Sequence, residues 1–289
     1  MTAHGKIIAI TGANTGIGFA TAMGLAKAGA EIAIISRNAD RGSDAMKAIG
    51  AIATGSAPRL FIADLSSQAS IRELSVRLHE QLPRIDVLIN NAAAAFRKRE
   101  QTINGIEKTF AINHLAPFLL TNLVLDLVRK SPAGRIVNLT AGIPGSPSAD
   151  FLDNLQGQKK YNQFSAYRSS KVGNILFTYE LARRLLGSTS ITVNCLHPGP
   201  VETQFGQKAG GILAVMSKIF HPIMRSPEVG ARTPIYLAAS PEVEGVTGAY
   251  FVNCRQKKTA PITYDQAIAR KLWAISEKLT ALNSEAIPS

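Results

Sequence analysis

The stretch that decides the fold class is 11-TGANTGIG-18, which contains Gly12, Asn14, Thr15, Gly16, Ile17 and Gly18. It follows a short apolar run, residues 6–10, and opens a helical stretch of small residues, 16–29. Glycines let a backbone turn sharply and approach a pyrophosphate closely, while free amides at a helix N-terminus attract its charge. The spacing Gly-x-x-x-Gly-x-Gly is not the commoner Gly-x-Gly-x-x-Gly. Its place between a strand and a helix nevertheless predicts a nucleotide-phosphate loop rather than a plain tight turn.

Beyond this loop, short apolar runs alternate with helical stretches. Several runs are rich in Ile and Val without polar alternation, as expected for strands buried on both faces. The alternation predicts right-handed crossovers, and hence an α/β fold with a Rossmann-type doubly wound parallel sheet of about seven strands. The predicted strands are 6–10, 31–36, 59–63, 85–90, 135–140, 191–196 and 249–252. The predicted helices are 16–29, 68–82, 102–130, 161–187, 227–239 and 263–282, with the third divided near Pro117.

No repeat or linker divides the sequence, so we expect a single domain spanning residues 1–289. Two stretches break the alternation, 141–154 and 203–226, and each follows a predicted strand. Because ligands in open α/β sheets sit beyond the carboxyl ends of the strands, both stretches are expected to cover a ligand. We interpret 203–226 as a substrate-covering insertion that selects apolar molecules. A membrane-surface helix or plain core are the alternatives for its apolar part, 212–220.

Composition is that of a globular protein with a basic surface. Of 289 residues, 46% are hydrophobic and 18% are charged, with a formal charge of +12 that favours anionic ligands. The basic residues form runs of at most three and are not interleaved with aromatic residues, so nucleic-acid binding is not expected.

Other classes are also disfavoured by particular residue types. The two cysteines indicate no disulfide framework, and His114 and His197 lack a second ligand at metal-binding spacing, so we expect no metal and ordinary roles for both histidines. No apolar run reaches the ~18 residues of a transmembrane segment, and the first residues lead directly into a strand without a signal peptide. We therefore expect a cytoplasmic protein.

The end of the second predicted strand indicates the type of nucleotide. A carboxylate there would accept a hydrogen bond from the ribose 2′-hydroxyl and repel a 2′-phosphate. This chain instead has Arg37 and Asn38 after Ser36. Because an arginine can pair bidentately with a phosphate, the sequence favours NADP over NAD.

Tyr167 and Lys171 form the candidate catalytic pair. They stand four residues apart in a helical segment, which places both on one helix face. A nearby ammonium favours the phenolate, so we expect Lys171 to lower the pKa of Tyr167 toward the range useful for proton transfer to a carbonyl oxygen. Such a pair is common by chance, and its weight comes from following the fifth strand of a nucleotide-binding sheet.

With these residues in place, the chain resembles the short-chain dehydrogenase/reductase family from about residue 6 to residue 282. Four further segments carry the resemblance. Asp64-Leu65 resembles the residues with which the family contacts adenine. Asn90-Asn91-Ala92-Ala93 resembles the family's Asn-Asn-Ala-Gly motif, with alanine in place of the glycine. Asn113 resembles the asparagine of its catalytic tetrad, and Pro198-Gly199-Pro200-Val201-Glu202-Thr203 the segment that holds the nicotinamide end.

A narrower likeness joins the chain to the retinol dehydrogenase branch and its relatives fused to WW domains. It rests on INHLAPFLLT, DNLQGQKKYNQFSAYRSSKVGNILFTYELARRL, HPGPVET and GAYFVNC. The resemblance implies NADP(H) as cofactor, Tyr167 as proton donor or acceptor, Lys171 as the ribose contact, and Asn113 as the anchor of a proton-relay water. It also implies an apolar carbonyl or alcohol as substrate and a homo-dimer or tetramer.

One position departs from the family pattern. Where the family has a serine that bonds the substrate oxygen, this chain reads Asn138-Leu139-Thr140-Ala141. Thr140, Ser146, Ser148, a water or a substrate hydroxyl are the alternatives for the missing hydrogen bond, and Thr140 is our candidate. Alternation along a strand argues against simple replacement by Thr140. The substrate-side candidates are Ala141, Ile143, Phe205 and Ile212.

Three functions stay open at this point. The first is an NADP(H)-dependent oxidoreductase that interconverts an apolar ketone or aldehyde with its alcohol. The second is a lyase, isomerase or cyclase on the same scaffold, and the third is a non-catalytic NADP-binding protein.

Overall fold

The computed structural model describes residues 2–142, 149–187, 189–199, 201 and 225–282. In this part of the chain the strands form one eight-stranded sheet. They are β1 (Ile7–Thr11), β2 (Glu31–Ser36), β3 (Arg59–Ile62), β4 (Val87–Asn90), β5 (Arg135–Leu139), β6 (Thr192–His197), β7 (Ala249–Val252) and β8 (Arg255–Lys257).

The strand order, β3-β2-β1-β4-β5-β6-β7-β8, is that of a doubly wound sheet. β1 to β7 are parallel, and only the edge strand β8 is antiparallel to its neighbour. The direction of winding reverses between β1 and β4, which opens a crevice beyond their carboxyl ends where ligands bind in such sheets. The predicted α/β Rossmann-type fold is confirmed.

Helices cover both faces of the sheet. They are α1 (Gly16–Lys27), α2 (Ala39–Gly50), α3 (Gln68–Gln81), α4 (Lys108–Phe110), α5 (Ala116–Leu123), α6 (Leu125–Arg129), α7 (Gln163–Leu185), α8 (Pro227–Ala239) and α9 (Gln266–Thr280). A π-helical turn, Ala111–Leu115, joins α4 to α5. One apolar core includes Leu25, Ile49 and Leu237 from α1, α2 and α8. The other includes Leu74, Phe118 and Phe177 from α3, α5 and α7.

Two elements were not predicted from the sequence. Helix α2 was missed because it is polar and contains Gly42, which is unfavourable inside helices by about 1 kcal/mol. Gly42 is buried there, and a Cβ on it would lie 2.7 Å from a methyl carbon of Leu60 in β3. Strand β8 was missed because all three of its residues are exposed, so no apolar pattern marks it.

The predicted helix 102–130 also differs in its bounds. Helical structure begins at Lys108, where the Glu107 carboxylate caps α4 by accepting from the amides of Thr109 and Phe110. The chain stays helical past Pro117, and the break falls at Val124. Pro117 is the second residue of α5 and follows directly on the π-helical turn Ala111–Leu115.

Candidate active site

A cleft of about 790 Å³ opens at the crevice between the carboxyl ends of β1 and β4. Its lining comes mainly from the ends of six parallel strands, β1 to β6, with the loops that follow them, and from α7. Of the residues predicted from the sequence, it brings together Gly12, Asn14, Thr15, Gly16, Ile17, Gly18, Arg37, Asn38, Asp64, Leu65, Asn91, Ala92, Ala93, Thr140, Ala141, Tyr167, Lys171, Pro198, Gly199 and Val201. Residues predicted separately to bind a nucleotide and to transfer a proton therefore share one cleft.

The loop after β1 is built for close approach by a ligand. Gly12 and Gly16 have φ of 69° and 55°, values that favour glycine. A Cβ on Gly18 would lie only 2.4 Å from the Gly12 carbonyl oxygen and from Nδ2 of Asn91. The three glycines therefore leave a backbone-lined space at the N-terminus of α1, which fits the phosphates of a dinucleotide.

Hydrogen bonds from the neighbouring strand fix this loop. The Thr11 hydroxyl oxygen accepts from the backbone amides of Asn91 (2.9 Å) and Ala92 (3.0 Å). The Asn91 side chain donates in return to the Thr11 carbonyl oxygen at 2.7 Å. Because these bonds join the ends of β1 and β4, the two walls of the crevice form one rigid unit.

The end of β2 presents two arginines, not one. Arg37 and Arg41 are both exposed, and both line the cleft. Asn38 caps α2 by accepting from the backbone amide of Arg41 at 2.8 Å, which places Arg41 in the first turn of that helix. Arg41 was missed because α2 itself was not predicted. The pair gives this end of the cleft two positive charges.

Asp64 lies beyond β3 on the same wall. Its Oδ1 atom accepts from the backbone amide of Ser66 at 2.9 Å and from the Ser66 hydroxyl at 2.8 Å. These bonds fix the loop after β3 at the wall of the cleft. Asp64 therefore lies in the cleft, where the sequence predicts a contact with adenine.

Helix α7 positions Tyr167 and Lys171. It begins at Gln163, after Asn162 caps it by accepting from the Ser165 amide at 3.0 Å. Lys171 is only 3% exposed, and its Nζ atom donates to the Leu139 carbonyl oxygen at 3.2 Å. The same Nζ atom lies 5.8 Å from the centre of the Tyr167 ring. The predicted pair therefore stands together at the end of β5.

The predicted direction of the Tyr167 pKa is wrong for this structure. Burial raises the pKa of the Tyr167 hydroxyl, and burial lowers the pKa of the Lys171 amine to about 8. Removal of water disfavours the charged form of each group, and here this effect outweighs the attraction between phenolate and ammonium. At neutral pH Tyr167 therefore keeps its proton, the form needed to donate to a carbonyl oxygen.

Asn113 acts from behind the cleft wall. It is fully buried in the π-helical turn, and its Oδ1 atom accepts from the Ala94 amide at 2.7 Å. Its Nδ2 atom donates to the Ala94 carbonyl oxygen at 2.9 Å and to the Ser170 hydroxyl at 3.0 Å. Ser170 in turn donates to the Tyr167 carbonyl oxygen at 2.7 Å. The Asn113 side chain thus positions the loop after β4 and the first turns of α7. The role implied by the resemblance, anchoring a proton-relay water, stays a prediction.

Thr140 lines the cleft, but its hydroxyl is engaged. Thr140 is 4% exposed, and its Oγ1 atom donates to the Leu196 carbonyl oxygen at 3.1 Å. A hydroxyl carries a single proton, so donation to a substrate would require breaking this bond. The neighbouring Ala141 offers only a methyl group. The predicted replacement of the family serine by Thr140 is therefore not favoured by the contacts of Thr140.

Several predicted residues lie outside the described part of the chain. They are Ile143, Ser146, Ser148, Thr203, Phe205 and Ile212, together with residues 203–224 of the predicted covering insertion. In the part that is described, no helix is both long and apolar enough to span a membrane. The cleft also contains residues that were not predicted as site residues. Ile112, Leu139 and His197 lie within quoted motifs but were given no role there, and no motif marks Ile35, Ala63, Ser66, Ala94, Ala95, Phe96, Arg97 and Glu100.

The chain is similar to known proteins over most of its length. The family described as short chain dehydrogenase matches residues 6–211. Retinol dehydrogenase 14 of Mus musculus is 41% identical, with 96% of this chain and 87% of that protein covered. Retinol dehydrogenase 13 of Homo sapiens is 39% identical, with 99% and 88% covered. A solved structure, the RhlG/NADP active-site complex of Pseudomonas aeruginosa, is 27% identical with a TM-score of 0.68, and the match covers 86% of this chain and 95% of that chain.

Proposed function

This chain belongs to the short-chain dehydrogenase/reductase superfamily, in its retinol dehydrogenase branch, and on that premise we propose that it is an NADP(H)-dependent oxidoreductase. Its proposed reaction interconverts an apolar ketone or aldehyde with the corresponding alcohol. The observation that carries the proposal is that Tyr167 and Lys171 line the same cleft as the glycine loop and two arginines.

NADP(H) fits the residues at the nucleotide end of the cleft. Gly12, Gly16 and Gly18 leave room for its pyrophosphate, and Arg37 and Arg41 supply positive charge for its 2′-phosphate. Arginine pairs bidentately with phosphate, and charge-assisted bonds of this kind are about twice as strong as neutral ones. An NADP complex among similar solved structures supports the same choice.

The chemistry divides between cofactor and chain. A bound NADPH supplies the hydride in reduction, and NADP⁺ accepts one in oxidation. In the reduction direction Tyr167 donates its proton to the substrate oxygen as that oxygen gains negative charge. Lys171 stands behind the ring, and its positive charge stabilises the phenolate left after transfer. Asn113 and Ser170 hold α7 in place during this step.

Part of the cleft lining favours an apolar substrate. Ile112, Leu139, Ala94 and Phe96 contribute apolar side chains to it. Burial of each CH₂ group of a substrate against such a surface is worth about 0.8 kcal/mol. The names of the relatives, retinol dehydrogenases 13 and 14, support the same substrate class.

The test is NADPH oxidation, followed by absorbance, with a panel of apolar aldehydes and ketones. We expect turnover by the wild type and a loss of about 10²- to 10⁴-fold in Tyr167→Phe, the usual contribution of a general acid. Tyr236→Phe is the matched control, because the Tyr236 hydroxyl bonds Glu242 away from the cleft. Unchanged turnover in Tyr167→Phe would remove the proposed acid.

Ala141 favours a second candidate, a non-redox lyase, isomerase or cyclase on the same scaffold. An alanine at this position leaves the nucleotide end of the cleft complete but removes a hydrogen-bond donor from the substrate end. Product formation without any change in nicotinamide absorbance supports this candidate. NADPH binding without any product supports a non-catalytic role.

A further inference from the structure

The end of β6 places a histidine side chain beside the position that lacks a hydroxyl. We propose that His197 donates the hydrogen bond to the substrate oxygen that Ala141 cannot donate. This assignment rests on the proposed carbonyl–alcohol chemistry and names a further catalytic residue for it. His197 lines the cleft together with Tyr167, Lys171 and Ala141.

Strand register brings His197 to this position. β5 and β6 are parallel neighbours with Leu139 opposite Leu196, and the Thr140 amide donates to the Leu196 carbonyl oxygen at 2.7 Å. The next residue of β6 is His197, which therefore lies beside Thr140 and Ala141.

Side-chain alternation turns His197 toward the catalytic helix. Side chains two residues apart on a strand share a sheet face, so His197 follows Cys195. Cys195 packs with Ile175 and Tyr179 of α7, the helix that also carries Tyr167. His197 and the proposed proton donor are thus on the same side of the sheet.

The imidazole ring lies directly against the backbone that follows Ala141. A Cβ on Gly142 would be 2.6 Å from Cδ2 and 2.8 Å from Nε2 of His197. No side chain fits at residue 142 while the ring holds this position. The glycine therefore allows the ring to lie against the residue that follows Ala141.

One nitrogen atom of the His197 ring has no hydrogen-bond partner among the described residues. This atom is Nδ1, and it is buried. Since no described residue bonds to Nδ1, nothing there fixes the tautomer, and the ring can carry its proton on Nε2, the nitrogen next to Gly142. Burial and the nearby Arg225 lower the pKa of His197 to about 4, so the ring is neutral at pH 7 with one N–H donor and one acceptor nitrogen.

In this scheme His197 keeps its proton throughout. The hydride comes from the cofactor, the proton comes from Tyr167, and the C=O bond becomes a C–OH group. The His197 N–H only stabilises negative charge that develops on oxygen. Thr140 is less suited to this task, because its one hydroxyl proton is already donated to Leu196.

The kinetic test compares His197→Leu, His197→Gln and the double variant His197→Leu/Ala141→Ser. Loss of a transition-state donor typically lowers the rate by 10²- to 10³-fold. We expect His197→Leu to lower kcat/KM for apolar ketones by about this factor, with the NADPH dissociation constant unchanged. His197→Gln should retain part of the rate through its amide N–H. A serine at 141 should restore at least tenfold over His197→Leu. His79→Leu, outside the cleft, is the control.

A second variant and a non-kinetic readout guard against a purely structural effect. Gly142→Ala keeps the histidine but displaces its ring, and it should lower kcat/KM without changing NADPH affinity. In the NADP⁺ complex, an unreactive amide analogue of the substrate should shift the ring ¹⁵N resonances of His197 in NMR spectra. If His197→Leu does not fold, the kinetics of Gly142→Ala and the NMR shift test whether His197 bonds the substrate oxygen.

Three outcomes overturn the proposal. The first is that kcat/KM is unchanged in both His197→Leu and Gly142→Ala. The second is that weaker NADPH binding accounts for the whole fall in kcat/KM. The third is that Ala141→Ser does not restore kcat/KM in the His197→Leu background. If the wild type binds NADPH but reduces no carbonyl, the proposed function itself fails and this assignment falls with it. If the wild type does reduce carbonyls and substitution of His197 leaves kcat/KM unchanged, only the His197 assignment fails.

Discussion

Lys171→Met should make the protein more stable while it removes the group placed behind Tyr167. Lys171 is 3% exposed, so its ammonium is held almost entirely out of water. Burial lowers its pKa from 10.5 to about 8. At about 1.4 kcal/mol per pH unit, the buried charge costs folding roughly 3 kcal/mol at pH 7. Methionine has a similar length and no charge, although it loses the hydrogen bond to Leu139, worth about 1 kcal/mol. The net gain is about 2 kcal/mol.

The pH dependence of this gain has a definite sign. Below pH 8 the folded and unfolded chains both carry protonated Lys171, so the full cost is present. Between pH 8 and 10.5 the unfolded chain binds more protons than the folded one, so wild-type stability rises with pH in this window. The advantage of Lys171→Met is therefore greatest below pH 8 and falls by about 2 kcal/mol by pH 10.

Urea unfolding measures the effect directly. Trp273 is the sole tryptophan of the chain and is buried, so its fluorescence reports unfolding. The free energy of unfolding is compared between wild type and Lys171→Met at pH 7 and pH 10, with Lys47→Met on the exposed face of α2 as control. The reasoning is refuted if Lys171→Met is less stable at pH 7, or if the difference is equal at both pH values.

Three further predictions concern other parts of the cleft. Arg37→Gln/Arg41→Gln should weaken NADPH binding by about 10²- to 10⁴-fold and leave NADH binding unchanged, since two bonds to charged groups contribute about 1.5–3 kcal/mol each. Titration of both nucleotides checks this, and Lys47→Gln should change neither. Gly18→Ala should abolish nucleotide binding in the same titration, because its Cβ would stand 2.4 Å from loop atoms; wild-type affinity would contradict it. Ala141→Ser should raise turnover of simple ketones by up to about tenfold, less than the 10²- to 10³-fold expected for a site without any donor, because His197 already supplies one. An unchanged or lower rate would mean that the site is built around a group other than a hydroxyl at 141.

The sequence could predict the nucleotide end of the cleft because its determinants are local. The glycines of residues 12–18 are needed because the loop itself requires backbone conformations that glycine adopts easily. The apolar runs around the loop indicate strands that are buried on both faces of the sheet. Tyr167 and Lys171 were identified in the same way, since helical periodicity alone puts both on one face. These features require no knowledge of distant contacts.

The missed features depend on tertiary contacts. Arg41 belongs to a helix with few apolar residues, whose buried face includes Gly42, Ala45 and Ile49 and packs on β3 through Gly42. His197 looked unremarkable because its relation to Gly142 arises only when β5 and β6 pair. The rise in the Tyr167 pKa follows from its burial in the folded chain, which the spacing of residues along the sequence does not reveal.

The most direct test of the central claim follows the hydrogen that is transferred. The wild type is incubated with an apolar aldehyde and NADPH carrying deuterium at C4, with each face labelled in separate experiments, and the product is analysed by mass spectrometry. The account predicts an alcohol that carries deuterium from one of the two cofactors and not from the other. Product without deuterium from either labelled cofactor would contradict it.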